Sequence, residues 1–410
     1  DFRRSFITTD ANPFYDSFVR WQFNRLKEQN KIRFGKRYTI FSPVDGQPCM
    51  DHDRRSGEGF EPQEYTLIKM RVIPGKQENE KLLALLSDQW KNSSFAESFN
   101  GQLIAEVFLG AATMRPETMY GQTNCWVGPD IEYGAYLMKD GWVLISTDRA
   151  LRNLSFQGFT EQEGKTQKIA SLKGTDLLGC LIDAPLSNSY KSVHVLPMLT
   201  VSASKGTGIV TSVPSDSPDD FAALRDLKEK QALRMKYSLP DHAVLPFEPK
   251  QVIQIQCAKD EKRFNVTEFN KQQMMAPFLC GHFGIKSQND RDLLAKAKEI
   301  TYQEGFYNGV MAVGEWKGKS VQEAKNLIKQ HLIKLNLAIP YYEPEGLVIS
   351  RSDDECVVAL MDQWYIAYGE PEWKEQGLNC LAKMNLFCEE SRNQFEKTFD
   401  WLGQWACSRF

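Results

Sequence analysis

An apolar run, Leu103-Ile104-Ala105-Glu106-Val107-Phe108-Leu109-Gly110-Ala111-Ala112, stops at Thr113-Met114-Arg115-Pro116, and this junction constrains the chain more than any other stretch. A run of this length and composition, followed by turn residues, reads as a strand buried in a sheet. Pro116 lacks an N–H and fixes its own φ, and it biases Arg115 toward extended geometry. The strand is therefore predicted to break into a turn that presents Thr113, Arg115, Glu117 and Thr118. Hydroxyls beside a guanidinium at a strand end suit a small polar ligand.

With 410 residues the chain is too long for one ordinary core, so two or more domains are expected. It is 42% apolar and 25% charged, the balance of a soluble globular protein. No apolar stretch approaches the ~18–20 residues that a membrane helix needs. The sequence opens at Asp1 without Met or signal peptide and reads as a fragment. A formal charge of −3 argues against charge-driven nucleic-acid binding, so any RNA contact must come from local basic patches. Nine cysteines are scattered without a C-x-x-C pair, which suits reduced thiols in the cytoplasm. Asp51-His52-Asp53 has no cysteine or second histidine at ligand spacing, so no metal site is expected.

Asn12-Pro13 starts a helix, and Tyr15, Val19, Phe23 and Leu26 give it a face expected to pack on a core. Tyr65–Val72 reads as a strand with Ile68, Met70 and Val72 on one side, Lys81–Trp90 as a helix, and Asn100-Gly101 as a turn. Trp142–Ser146 and Val193–Val201 are further strands, with His194 a satisfied core histidine. Short strands broken by Gly, Asn and Pro continue to about Pro214, which suggests a closed or folded β structure. Lys205-Gly206-Thr207-Gly208 lacks the rest of a phosphate-binding loop. Ser217-Pro218-Asp219-Asp220 occupies N-cap to N3 of a helix predicted to run to about Lys236, with Asp220 a capping carboxylate. Ser287-x-x-Asp290 and Ser320-x-x-Glu323 read as helix starts, the second a capping box. Val321, Ala324, Ile328 and Leu335 fit one helix face, and so do Phe395, Phe399, Leu402 and Ala406.

Thr113-x-Arg-Pro-Glu-Thr-Met-Tyr-Gly121, followed by Thr123-Asn-Cys-Trp-Val-x-Pro-Asp130, resembles the threonine-rich motif of an editing domain. That domain is the insertion of class I aminoacyl-tRNA synthetases for leucine, isoleucine and valine. Gln122–Asp130 resembles the eukaryotic and archaeal leucyl type, as do Gly46-Gln-Pro-Cys49, Pro62-Gln-Glu-Tyr65, Ser350-Arg-Ser352 and Asp362-Gln-Trp364. The resemblance to leucyl-tRNA synthetases of the cytosolic, eukaryotic type covers nearly the whole chain. It implies a mixed α/β fold: a β-barrel-like editing domain with helical insertions, flanked by pieces of a Rossmann-type catalytic domain. On this reading residues 1–62 precede the insertion and 63–350 form the editing domain. Its core is about 63–236, and an extra lobe over about 237–340 is assigned no chemistry. Residues 351–410 return to the catalytic domain.

The resemblance further implies deacylation of a wrong amino acid from the 3′ end of leucine tRNA. Such an ester needs an attacking water, oxyanion stabilisation and positioning. No Gly-x-Ser-x-Gly elbow supplies a covalent nucleophile. Asp220 would take the α-ammonium, with Thr113 and Arg115 donating near the ester or its water. Thr118 would crowd the pocket and exclude leucine, because a hydrophobic pocket distinguishes one methylene by only ~1–3 kcal/mol. Lys205, Thr211 and Val213 are assigned to the terminal adenosine. Met114 stands where bacterial relatives often carry a second threonine, so a hydroxyl there is not required. Editing calls for no cofactor. Neither His-x-Gly-His nor Lys-Met-Ser-Lys-Ser occurs, so ATP belongs only to the synthetic site of a full-length parent. The expected partners are tRNA and, in a complex, other synthetases; no membrane is involved. Two alternatives stay open: an isoleucyl or valyl editing domain, disfavoured by Asn124–Val127 and Asp362–Trp364, and a non-catalytic tRNA-binding module.

Overall fold

The computed structural model describes residues 12–91, 106–255, 269 and 272–407. The chain divides into two units, Asp1–Glu61 with Gly346–Phe410, and Pro62–Glu345. Leu103–Ala105 and the Asn100-Gly101 turn lie outside the described residues.

In the first unit Asn12 caps the helix Pro13–Glu28, its Oδ1 accepting the N–H groups of Phe14 (2.9 Å) and Tyr15 (3.3 Å). The expected core-packing face is not covered: the helix has no buried residue, and Phe14, Phe18 and Trp21 are exposed. Strand Ile32–Ser42 pairs antiparallel with Val357–Ile366 along ten residues, from Ile32 opposite Ile366 to Phe41 opposite Val357. All of this unit's ladders are antiparallel, and its assignment to a Rossmann-type domain rests on the resemblance. The helix Glu389–Trp401 stops before Leu402, and Ala406 lies in a short strand opposite Tyr365. The helical spacing read through Ala406 therefore ends one turn too late.

Among the described residues the second unit contains two large open sheets and a two-stranded ladder, Ile253–Ile255 with Gly309–Met311. Six strands stand in the order Ala338–Pro344, Pro62–Arg71, Val107–Thr113, Val143–Ser146, Glu132–Leu137, Gln167–Lys173. The strand Val107–Thr113 is interior, antiparallel to Pro62–Arg71 and parallel to Val143–Ser146. Val107 to Ala111 are all buried, so both faces of the strand are covered, which is why its sequence runs apolar without alternation. Tyr65–Met70 are likewise all buried, with Ile68, Met70 and Val72 in one core cluster, as expected, and Tyr65 and Leu67 in another. Leu109, Met70 and Ile145 are fully buried together, and truncating such a leucine to alanine costs about 2–5 kcal/mol. The second sheet has the order Leu181–Asp183, Ser192–Pro197, Asn124–Val127, Ile209–Ser212. A bridge between Val72 and Ile182 joins the sheets. The β structure is thus folded over but not closed into a barrel, because the strands at the outer edges of the six-stranded sheet do not pair with each other.

The Gly206–Gly208 turn is pinned to the six-stranded sheet. Gly206 N–H donates to Glu343 Oε1 (2.9 Å), and Glu343 is held by Arg149 and Tyr341, each at 2.8 Å. Gly208 sits at φ +71°, and a Cβ there would come within 2.7 Å of Thr147 Cγ2, so glycine is needed for conformation and for space. Beyond residue 236 one of the two expected helix starts is displaced. Asp290, not Ser287, precedes the helix Arg291–Tyr307, and its Oδ2 accepts the Lys286 and Ser287 N–H groups. Ser320 does cap Val321–Lys334 by accepting Glu323 N–H at 3.3 Å. Leu332 completes that helix's buried face, whereas Leu335 is half exposed.

Candidate active site

The site grows from the end of the strand Val107–Thr113. Arg115 leaves extended geometry at φ −125°, ψ 63°, and Pro116–Gly121 forms a 3₁₀ turn with Pro at its first position. Thr113 Oγ1 accepts the Arg115 N–H (3.0 Å), and Thr118 donates its N–H (3.1 Å) and Oγ1 (2.8 Å) to the Arg115 carbonyl. The turn does not present all four residues as expected. Glu117 and Thr118 are buried, at 1% and 2% exposure, and Thr113 and Arg115 are partly covered. The physical reason is local: the guanidinium draws Glu117 inward, and the Thr118 hydroxyl folds back on the backbone.

Arg115 ties the two motifs together. Its Nε lies 3.2 Å from Glu117 Oε1, and its Nη1 donates 2.9 Å to the carbonyl of Asp216, 101 residues away. Its guanidinium carbon lies 4.6 Å from the centre of the Tyr302 ring. Burial works against this charge, but Glu117, Asp216 and Tyr302 outweigh it and hold the guanidinium above its ordinary pKa. Nη2 has no hydrogen-bond partner among the described residues.

Asp220 lies at the third position of the helix Pro218–Glu229, whose cap, Ser217, accepts the Asp220 N–H at 3.5 Å. The helix does not run to Lys236: the chain breaks at Lys230 (φ −101°, ψ 88°) before a separate turn, Gln231–Lys236. The Asp220 carboxylate does not cap its own helix. Oδ2 accepts the Val213 N–H (2.8 Å), and Oδ1 accepts the indole N–H of fully buried Trp126 (3.0 Å). Two N–H donors, one on each oxygen, suit the ionised form. Complete burial nevertheless pushes the carboxyl up to about 7, with the Val213 N–H opposing the rise. Burial likewise lifts Asp216 to about 6 against the pull of Arg115. Two raised carboxyls beside a guanidinium make this cluster the candidate site.

Thr113, Arg115, Thr118, Val213 and Asp220 thus meet in one region. Val213 joins through its backbone, and Thr211 is buried on the strand opposite Cys125. Lys205 is exposed, on the turn just before Gly206. His194 is elsewhere, buried, with Nδ1 3.0 Å from the Gly179 carbonyl.

Four contributors escaped the sequence reading: Trp126, Asp216, Lys298 and Tyr302. The last two bring residues 237–340, to which no chemistry was assigned, against the motif residues. Lys298 Nζ stands 3.0 Å from Asp219 Oδ2, and Tyr302 stacks on Arg115. Their spacing of four residues along Arg291–Tyr307 puts them on one helix face, a pattern that an ordinary solvated face shares. Chemically, the cluster offers an anionic acceptor for an ammonium and a guanidinium donor for an oxygen-rich group.

No family model matches the chain. It is 52% identical to the cytoplasmic leucine–tRNA ligase of Pongo abelii over 409 residues, which is all of this chain and 32% of that protein. It is 44% identical over its whole length to the cytoplasmic enzyme of Saccharomyces cerevisiae, covering 35% of that protein. The chain therefore spans about a third of the length of the curated relatives it matches. Among solved structures, the crystal structure of GlLeuRS-CP1 matches with a TM-score of 0.58 and 34% identity, over 68% of this chain and 99% of that one. The cytosolic leucyl-tRNA synthetase editing domain of P. knowlesi matches with a TM-score of 0.56 and 26% identity, over 68% and 96%. The fold of the matched region is that of a synthetase editing domain. The chain belongs to the leucyl-tRNA synthetase family.

Proposed function

We propose that this chain performs post-transfer editing, hydrolysing the ester of a non-cognate amino acid from the 3′ end of leucine tRNA, as part of a cytoplasmic leucine–tRNA ligase. The observation that carries the reading is the junction of the two motifs, with Arg115 on the Asp216 carbonyl and Trp126 on Asp220. It brings a buried carboxylate and a buried guanidinium to one place, which suits an ester with an α-ammonium on one side and a polarised carbonyl on the other. Asp220 takes the ammonium, and Thr113 with Arg115 orients the ester or its water. Lys205, Thr211 and the Val213 backbone are assigned to the terminal adenosine. Editing uses no cofactor, and ATP serves only the parent's synthetic site. The tRNA is the partner, and other synthetases in a complex are a further one. A purely tRNA-binding module would not require a carboxylate and a guanidinium buried together away from phosphates.

The test is release of isoleucine from isoleucyl-tRNA by the 410-residue chain, with leucyl-tRNA spared. Thr118 is assigned as the size filter, acting through its γ-methyl because its hydroxyl is bonded to the Arg115 carbonyl. Thr118→Ala is expected to hydrolyse leucyl-tRNA about 10–200-fold faster than wild type, the scale of one methylene in a hydrophobic pocket. Continued sparing of leucyl-tRNA by this variant removes Thr118 from that role.

A further inference from the structure

We propose that Lys298, carried by the helix Arg291–Tyr307 of the extra lobe, is a positioning residue of the site. It pairs with Asp219 and so leaves Asp220 ionised to receive the substrate's ammonium. The inference rests on the hydrolytic reading above.

Asp219 and Asp220 are adjacent in the first turn of one helix, and two carboxylates so close disfavour each other's charge. Lys298 Nζ, 3.0 Å from Asp219 Oδ2, neutralises that neighbour. Lys298 keeps its proton for the same reason. Burial works against it, but Tyr302, Asp219 and Asp220 hold it above its ordinary value. The same helix serves Arg115 twice. Tyr302 offers its ring face, and Gly305 passes the guanidinium where a Cβ would stand 3.3 Å from Nη2. Gly305 lies in the last turn of that helix, and its missing side chain makes room for the buried Nη2 edge of Arg115.

The groups around Asp220 can be named element by element. Asp216 and Asp219 lie on its own segment, and Trp126 lies on the strand Asn124–Val127. Lys298 and Tyr302 come from the lobe helix. From the helix Met275–His282, Cys280 reaches the Pro218 carbonyl at 3.8 Å. Further along the Asp220 helix, Arg225 is bonded to the Ile285 carbonyl, and Asp226 to Lys230, Ser287 and Gln288. Lys298 is the cation among these that lies against the acidic pair.

The experiment measures kcat/KM for isoleucyl-tRNA hydrolysis against pH in wild type, Lys298→Met, Lys298→Arg and Asp219→Asn. The pH dependence of kcat/KM reports the free enzyme, and the ester's own amine titrates identically in every variant. In Lys298→Met the acid limb is expected to move up by about one unit, so activity falls about tenfold near pH 6 and by less than about threefold near pH 8.5. Lys298→Arg keeps the wild-type limb, and Asp219→Asn moves it down. A uniform loss at all pH values, an unmoved limb, or a Lys298→Arg profile like that of Lys298→Met overturns the proposal. If Lys298→Met does not fold, Asp219→Asn decides alone, and a limb that stays or rises overturns it. The same shifts are read without substrate from carbon-detected NMR titration of the Asp220 carboxyl. An inactive wild-type chain would therefore refute the hydrolytic reading, while the titration still judges Lys298.

Discussion

Alanine at Asp220 is expected to lower kcat/KM for isoleucyl-tRNA hydrolysis by on the order of a thousandfold, corresponding to ~4 kcal/mol of lost charge-assisted contact with the ammonium. The substitution also strips two buried donors, Val213 N–H and the Trp126 indole, of their acceptor, at about 1–3 kcal/mol each. Stability should respond with a definite sign. The folded carboxyl titrates near 7, above its unfolded value, so what it contributes to stability at acid pH is lost as pH rises through about 7. The melting deficit of Asp220→Ala is therefore largest below about pH 4, shrinks as pH rises and levels off above about 7. Melting curves across that range, alongside deacylation assays, check both halves. Hydrolysis at the wild-type rate would remove Asp220 from the proposed role.

The second large effect is structural. Arg115→Ala leaves Glu117, 1% exposed, and Asp216, 5% exposed, buried without their cation. Breaking a buried pair from one side costs about 3–5 kcal/mol. For a unit of this size that corresponds to a fall in melting temperature on the order of ten degrees. Because Asp216 titrates near 6 even with Arg115 beside it, acid neutralises the stranded group, and the deficit should narrow as pH falls from about 7 to 5. Adding Glu117→Gln to Arg115→Ala should recover part of the loss, since the two residues share one interaction. Calorimetry on the single and double variants measures this. A melting point within about a degree of wild type would show that the guanidinium is not what holds the motif turn together.

How much of this could be read from the chain depended on the range of the interaction. The strand before Thr113 was legible because burial on both faces leaves a continuous apolar imprint. Ser217 was legible because capping is decided within three residues. The inward fold of Glu117 and Thr118 was not, although its bonds span only two and three residues, because a surface turn of the same sequence could point those side chains outward. The uncovered helix Pro13–Glu28 shows the converse: periodicity reports an apolar face but not whether anything covers it. Lys298 and Tyr302 left no mark because a lysine and a tyrosine one turn apart are ordinary on any helix. Barrel closure failed for a similar reason, because strand spacing counts strands and does not say which edges pair.

The pairing of Ala338–Pro344 with Pro62–Arg71 has a consequence in time. The first strand of the editing unit receives an outer neighbour only when its last strand has been made, and Arg115 meets Tyr302 only after the lobe helix emerges. At ribosomal speeds of about 5–20 residues per second, Arg115 and Glu117 wait on the order of ten to forty seconds for that covering. During that interval the nascent chain carries a half-built charge cluster at the end of an unfinished sheet. The charge cluster in this architecture is therefore completed only after the lobe helix has been synthesised, well behind the strand that begins it.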